Sequence, residues 1–239
     1  MTTIVVLADP PVEGCHPRLL PDSYPAEKQH ELYRAVLADV CGVVQHGGGD
    51  LLVNYPDPET VPEDVDPEAS LRELLGSTLP EPEEARYEVQ VGESYAGRVG
   101  NALTHLLDAE GELTVGVAEP TALFLRREHV GSMAMQLRSN DVVLGPAPDG
   151  RVALAAFGEA IDFTDAFAAP AVETLTERAT AADLDVSFLP MTPVLDGPDD
   201  LPTVLSLLRA RIRAGSLVPG RTAELVADWD LSVADIANP

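Results

Sequence analysis

Apolar and polar positions fall in blocks along the chain, and the blocks switch between strand-like runs and helical periods. Thr3 to Ala8 (TIVVLA) is a β-branched run closed by Asp9-Pro10-Pro11, the pattern of a parallel strand buried on both faces that ends in a loop. After a Pro- and Gly-bearing loop reaching Pro25, the residues Leu32, Val36, Leu37 and Val40 recur at helical spacing within Ala26 to Val44. Asp50 to Tyr55 (DLLVNY) predicts a second strand, and Pro56 to Pro67, with four prolines and several acids, an exposed loop. Ser70 to Leu75 predicts a short helix capped by Ser70. Ala85 to Val91 predicts a third strand, and Gly97 to Leu107 a helix with Val99, Ala102, Leu103 and Leu106 inward.

Glu112 to Val117 predicts a short strand, followed after Pro120 by a helix reaching about Leu137. Asp141 to Leu144 enters a turn over Gly145 to Gly150, and Val152 to Phe157 leaves it as a strand. A helix over Val172 to Ala182, a strand over Asp185 to Leu189 and a helix over Leu201 to Ala214 complete the series. Strands alternating with helices imply an α/β fold with a mostly parallel sheet covered on both faces. With no linker in sight, residues 1 to 215 read as one domain, and 216 to 239 as a C-terminal extension that packs on it or trails from it. Trp229 is expected to anchor that extension on the domain surface.

Charge narrows the function classes. Lys and Arg total 15 against 40 Asp and Glu, a net charge of -25, and Lys28 is the sole lysine. Such a surface repels phosphate backbones and anionic lipid, which argues against nucleic-acid or membrane partners. It suits a halophilic cell, because molar salt shortens the Debye length to about 3 Å and screens the repulsion among carboxylates. Most of the acids are therefore expected to be solvated surface. Cys15 and Cys41 are too few for a disulfide framework and fit a reducing cytoplasm. The start, Met1 to Ala8, lacks a basic region and reads as a buried strand, not a signal peptide. No apolar stretch reaches the ~18 residues a spanning helix needs.

Four short segments lie in a suggestive order: Pro11 to Leu19 (PVEGCHPRL), Gln90 to Ala102, Asp141 to Gly150 (DVVLGPAPDG) and Asp196 to Leu201 (DGPDDL). Together they resemble a small prokaryotic family of glycosyltransferase-A-fold proteins, described as a domain of unknown function or as arsenosugar-type glycosyltransferases. That family is similar in fold to the phospholactate and molybdopterin guanylyltransferases. The resemblance implies a nucleotide-diphospho-sugar transferase fold, Rossmann-like, that binds a nucleotide or nucleotide-sugar. It implies that Gly14, His16 and Arg18 cradle phosphates after the first strand, helped by Arg98, and that Gly145 and Gly150 let the backbone approach the ligand. Asp149 would be the catalytic acid facing the cleft, and Glu119 and Asp196 would hold Mg²⁺ or Mn²⁺.

The chain departs from the family pattern at several of these places. Ala118 stands where the family's strand-end Asp would ligate the metal, so Glu119 substitutes only if the strand has ended at Ala118. Val194 replaces a second acid, and Arg151 replaces a glycine beside Gly150, where it adds bulk or contacts phosphate. Asp149 and Asp196 also read as ordinary turn aspartates, and His16 and Arg18 as solvent-facing loop residues. His46 precedes three glycines, but without a G-x-S-x-G elbow hydrolase chemistry is not supported. His30, His105 and His129 lack zinc-ligand spacing, and Met133 and Met135 read as helix packing. Three functions compete: a glycosyl- or nucleotidyl-transferase, a degenerate binding or regulatory module of the same fold, and a subunit that docks a partner through an exposed apolar face at Val152 to Phe157. The oligomeric state is left open.

Overall fold

The computed structural model describes residues 2 to 229. Among them a seven-stranded sheet forms in the order β3-β2-β1-β4-β6-β5-β7. The strands are β1 (Thr3–Leu7), β2 (Asp50–Tyr55), β3 (Arg86–Val89), β4 (Val115–Ala118), β5 (Val142–Pro146), β6 (Val152–Phe157) and β7 (Val186–Phe188). All run parallel except β6, which lies antiparallel between β4 and β5. The α/β class and the mostly parallel sheet expected from the alternation are therefore observed.

Seven α-helices flank the sheet among the described residues: α1 (Ala26–His46), α2 (Pro67–Gly76), α3 (Tyr95–Thr104), α4 (Arg127–Gln136), α5 (Ala171–Ala181), α6 (Leu201–Arg213) and α7 (Gly220–Asp228). β1 shows why its run is uniformly apolar. Ile4 and Val6 join the core formed with α1, α2, α6 and α7, whereas Val5 and Leu7 join the core beneath α3 and α5. α7 packs on α1, where Asp39 accepts the Thr222 hydroxyl at 2.8 Å and its backbone N–H at 2.9 Å. Trp229 packs partly buried against that core, with the Lys28 ammonium 5.0 Å from its ring centroid.

Three expectations change. α2 starts earlier than its apolar residues suggest, because Asp66 caps it by accepting the Ala69 N–H at 2.9 Å and Pro67 fills the first turn. The segment after Pro120 stays out of helix until Arg127: Ala122 to Leu125 are buried in tight turns, an apolar run whose period cannot tell a turn from a helix. Finally, Ala153 to Phe157 are buried in the middle of the sheet, so the exposed docking face expected at Val152 to Phe157 is not there.

Candidate functional site

In an open α/β sheet, ligands bind beyond the carboxyl ends of the strands where the strand order reverses. Here that point lies between β1 and β4, and a cleft of about 340 Å³ opens there. Leu7 and Asp9 from the end of β1 and Glu119 and Thr121 from beyond β4 line it, with Tyr95 and Arg98 from α3 on one side. Arg151 and Asp196 close the other side. β4 ends at Ala118, so Glu119 is freed from strand alternation and turns into the cleft.

The cleft carries one half-buried acid pair. The Tyr95 hydroxyl donates to Glu119 Oε2 at 2.7 Å. Burial pushes the Glu119 carboxyl up to about 7; the Tyr95 hydrogen bond pulls it down, Asp196 adds to the rise and Arg151 opposes it. Burial and the Glu119 charge hold the Tyr95 phenol well above its ordinary range. Asp9 is also raised by burial, against the pull of Arg98. Arg98 forms no ion pair among the described residues, and its Nε is buried without a hydrogen-bond partner. A buried guanidinium nitrogen left open beside a cleft suits an incoming anion.

Arg151 is the opposite case. Its two Nη atoms donate to Asp200 at 2.8 and 2.6 Å, and its Nε donates to the Pro148 carbonyl at 3.0 Å. Asp149 lies 3.4 Å and Asp196 3.7 Å from the same guanidinium. Asp200 raises the Arg151 pKa, while burial pushes the Asp200 carboxyl up but Arg151 and the Asp196 and Gly197 backbone N–H groups together hold it below the usual carboxylate range.

The other expected site residues are dispersed. Gly14, His16 and Arg18 line a separate hollow beside the first loop, from which only Pro17 reaches the cleft. Arg18 is turned to Asp22, and His16 stacks on Tyr33 with ring centroids 5.0 Å apart. Burial lowers the His16 pKa, against the Pro17 carbonyl and the Glu13 charge. Asp149 adopts φ 61° in the bend between β5 and β6, its side chain 84% exposed at the rim over Arg151. Gly145 lies within β5, where a Cβ would come 3.0 Å from the Leu154 carbonyl; Gly150, at φ 73°, would meet Pro170. These glycines serve close strand and turn packing. The cleft therefore gathers Arg98, Glu119 and Asp196 from the sequence-derived set, and adds Asp9, Tyr95 and Arg151, with Asp200 behind it.

A divalent ion does not fit the residues present. Among the described residues no group of three or more His, Cys, Asp and Glu side chains is placed to hold a metal. Ala118 offers no donor, Val194 is apolar, Glu119 is bonded to Tyr95 and Asp196 faces an arginine. The expected pairing of Glu119 with Asp196 around Mg²⁺ or Mn²⁺ thus lacks a ligand set.

No protein-family model and no curated protein matches the sequence. Solved structures do. A protein from Desulfovibrio desulfuricans G20, described as a nucleotide-diphospho-sugar transferase, superposes with a TM-score of 0.78 at 22% identity, covering 99% of each chain. The fold is that of the nucleotide-diphospho-sugar transferases. More distant matches include the 4-diphosphocytidyl-2C-methyl-D-erythritol synthase of Anaerococcus prevotii DSM 20548, with a TM-score of 0.51 at 12% identity over 87% of this chain and 99% of that one. A cytidylyltransferase from Leptospira borgpetersenii serovar Hardjo-bovis (strain JB197) gives 0.50 at 10% identity over 100% of this chain and 97% of the other. No helix among the described residues is long and apolar enough to cross a membrane.

Proposed function

We propose that the cleft at the β1/β4 switch point binds a nucleotide or nucleotide-sugar and that the protein is a glycosyl- or nucleotidyl-transferase, related to the small prokaryotic family its sequence resembles. The observation that carries this reading is Arg98: a cleft-lining guanidinium with an open buried nitrogen, on the scaffold that nucleotide-diphospho-sugar transferases use. Arg98 would receive the phosphates. In group transfer the acceptor hydroxyl attacks the donor's anomeric carbon or α-phosphorus, the bond to the leaving phosphate breaks, and Glu119 takes the hydroxyl proton. A carboxyl raised to about 7 is suited to that task near neutral pH. Nothing in this reading requires Mg²⁺ or Mn²⁺ held by the chain. The free thiols Cys15 and Cys41 support a cytoplasmic location.

Calorimetric titration with uridine, cytidine and guanosine diphosphates in molar KCl tests it. Saturable binding of one of them, weakened about tenfold or more in Arg98→Ala, is expected. No binding at millimolar ligand overturns the reading. A second reading, a binding module without turnover, draws on Ala118 and Val194, which stand where acids were expected. The two part on whether a bound nucleotide-sugar is consumed.

A further inference from the structure

The cleft carries acids without a metal-binding arrangement, and the reason lies in one side chain. We infer that the Arg151 guanidinium is the resident cation of this cleft: it holds the carboxylates that would otherwise collect a divalent ion, so that phosphate-bearing ligands bind without one. The part about ligands rests on the nucleotide-binding reading above; the part about the cation does not.

Every polar group of Arg151 is committed. Asp200 engages both Nη atoms in a bidentate fork, and Pro148 takes the Nε hydrogen. Asp149 and Asp196 approach within 3.4 and 3.7 Å. Asp200 Oδ2 also accepts the Asp196 backbone N–H at 2.9 Å, which ties the acids to one another through the loop before α6. Arg151 is 22% and Asp200 16% exposed, so this fork is largely shielded from solvent. Charge-assisted forks are among the stronger protein hydrogen bonds, and a planar guanidinium imposes a geometry unlike an octahedral ion, with ligands at about 2.0 to 2.1 Å for Mg²⁺. For a metal to enter, the fork would have to break and leave a shielded guanidinium unpaired. Of the neighbouring positions, Ala118 and Val194 offer no oxygen donor, and Glu119 is engaged by the Tyr95 hydroxyl. Arg98 is left as the cation able to accept phosphate, because it makes no ion pair within 4 Å among the described residues and its Nε has no hydrogen-bond partner.

Mn²⁺ binding followed by electron paramagnetic resonance on the full chain, in molar KCl to suppress loose counter-ions, tests the inference directly. The unaltered protein is expected to show no saturable site at sub-millimolar Mn²⁺. Arg151→Ala frees Asp149, Asp196 and Asp200 and should create a one-to-one site at least about tenfold tighter, since it deletes a positive charge within 4 Å of three carboxylates. Arg151→Gln, closer in shape, should do the same, and Arg151→Lys should keep Mn²⁺ out. A saturable Mn²⁺ site in the unaltered protein overturns the inference even if no variant folds, as does a folded Arg151→Ala or Arg151→Gln protein, by circular dichroism, that gains no site. The ligand arm compares nucleoside diphosphate affinity in EDTA and in millimolar Mg²⁺. Agreement within about twofold is expected, and an absolute need for Mg²⁺ refutes it. If no nucleotide binds under either condition, the functional reading fails while the Mn²⁺ result still judges Arg151.

Discussion

Glu119 makes stability a function of pH in a way that one substitution isolates. Its carboxyl titrates at about 7 in the folded protein against 4.5 when free of the fold, because the cleft floor shields it from water. A raised acid pKa means that the folded state holds its proton longer than the unfolded chain does. The contribution to stability is full below about 4.5 and is lost as pH rises through about 7. With each pKa unit worth 1.36 kcal/mol, moving from about pH 5 to about pH 8 should withdraw roughly 2 to 3 kcal/mol through this one group. Glu119→Gln keeps an acceptor for the Tyr95 hydroxyl and cannot ionise, so it should be more stable than the unaltered protein at the higher pH and nearly equal at the lower. Urea unfolding of both proteins at the two pH values, at fixed molar KCl, cancels every other titrating group in the difference. A stability gap between the two proteins that changes by less than about 0.5 kcal/mol across this range would refute the assignment of a shielded, proton-holding carboxyl. The same variant should lose transferase turnover, because its amide cannot accept the acceptor's proton.

Two further outcomes are expected. Asp66→Ala removes the cap of α2 and should lower stability by about 1 kcal/mol, read as a shift in urea midpoint without a change in slope. With a net charge of -25, the protein should melt several degrees higher in about 2 M than in about 0.1 M KCl, as salt screens the carboxylates; a melting temperature indifferent to KCl would contradict the halophilic reading.

Much of the fold is legible because local patterns and tertiary needs agree. The β-branched run Thr3 to Ala8, closed by Asp9-Pro10-Pro11, reads as a strand buried on both faces, and Leu32, Val36, Leu37 and Val40 mark the face that α1 buries. Where the pattern is ambiguous the sequence misleads, as with Ala122 to Leu125, whose apolar side chains are buried without a helix. The location of the cleft was readable from strand ends, and Glu119 from the condition that its strand stop at Ala118. Its partners were not. Tyr95 lies 24 residues before Glu119 and Asp200 49 residues after Arg151, and no local period reports such pairings. The first loop shows the converse: Gly14, His16 and Arg18 have the composition of a phosphate cradle, yet Tyr33 and Asp22 claim the two side chains.

The antiparallel course of β6 has a consequence for how the molecule comes together. Six strands finish on the edge of the sheet where the cleft opens, whereas β6 starts there, so Arg151 arrives with its hairpin while the carboxylate that secures it is supplied by the turn before α6. The rim is thus a clasp between the hairpin and a much later part of the polypeptide. A nascent chain halted after β7 would present Arg151 with Asp149 but without Asp200, and the mouth of the cleft would be fastened only once synthesis had passed α6.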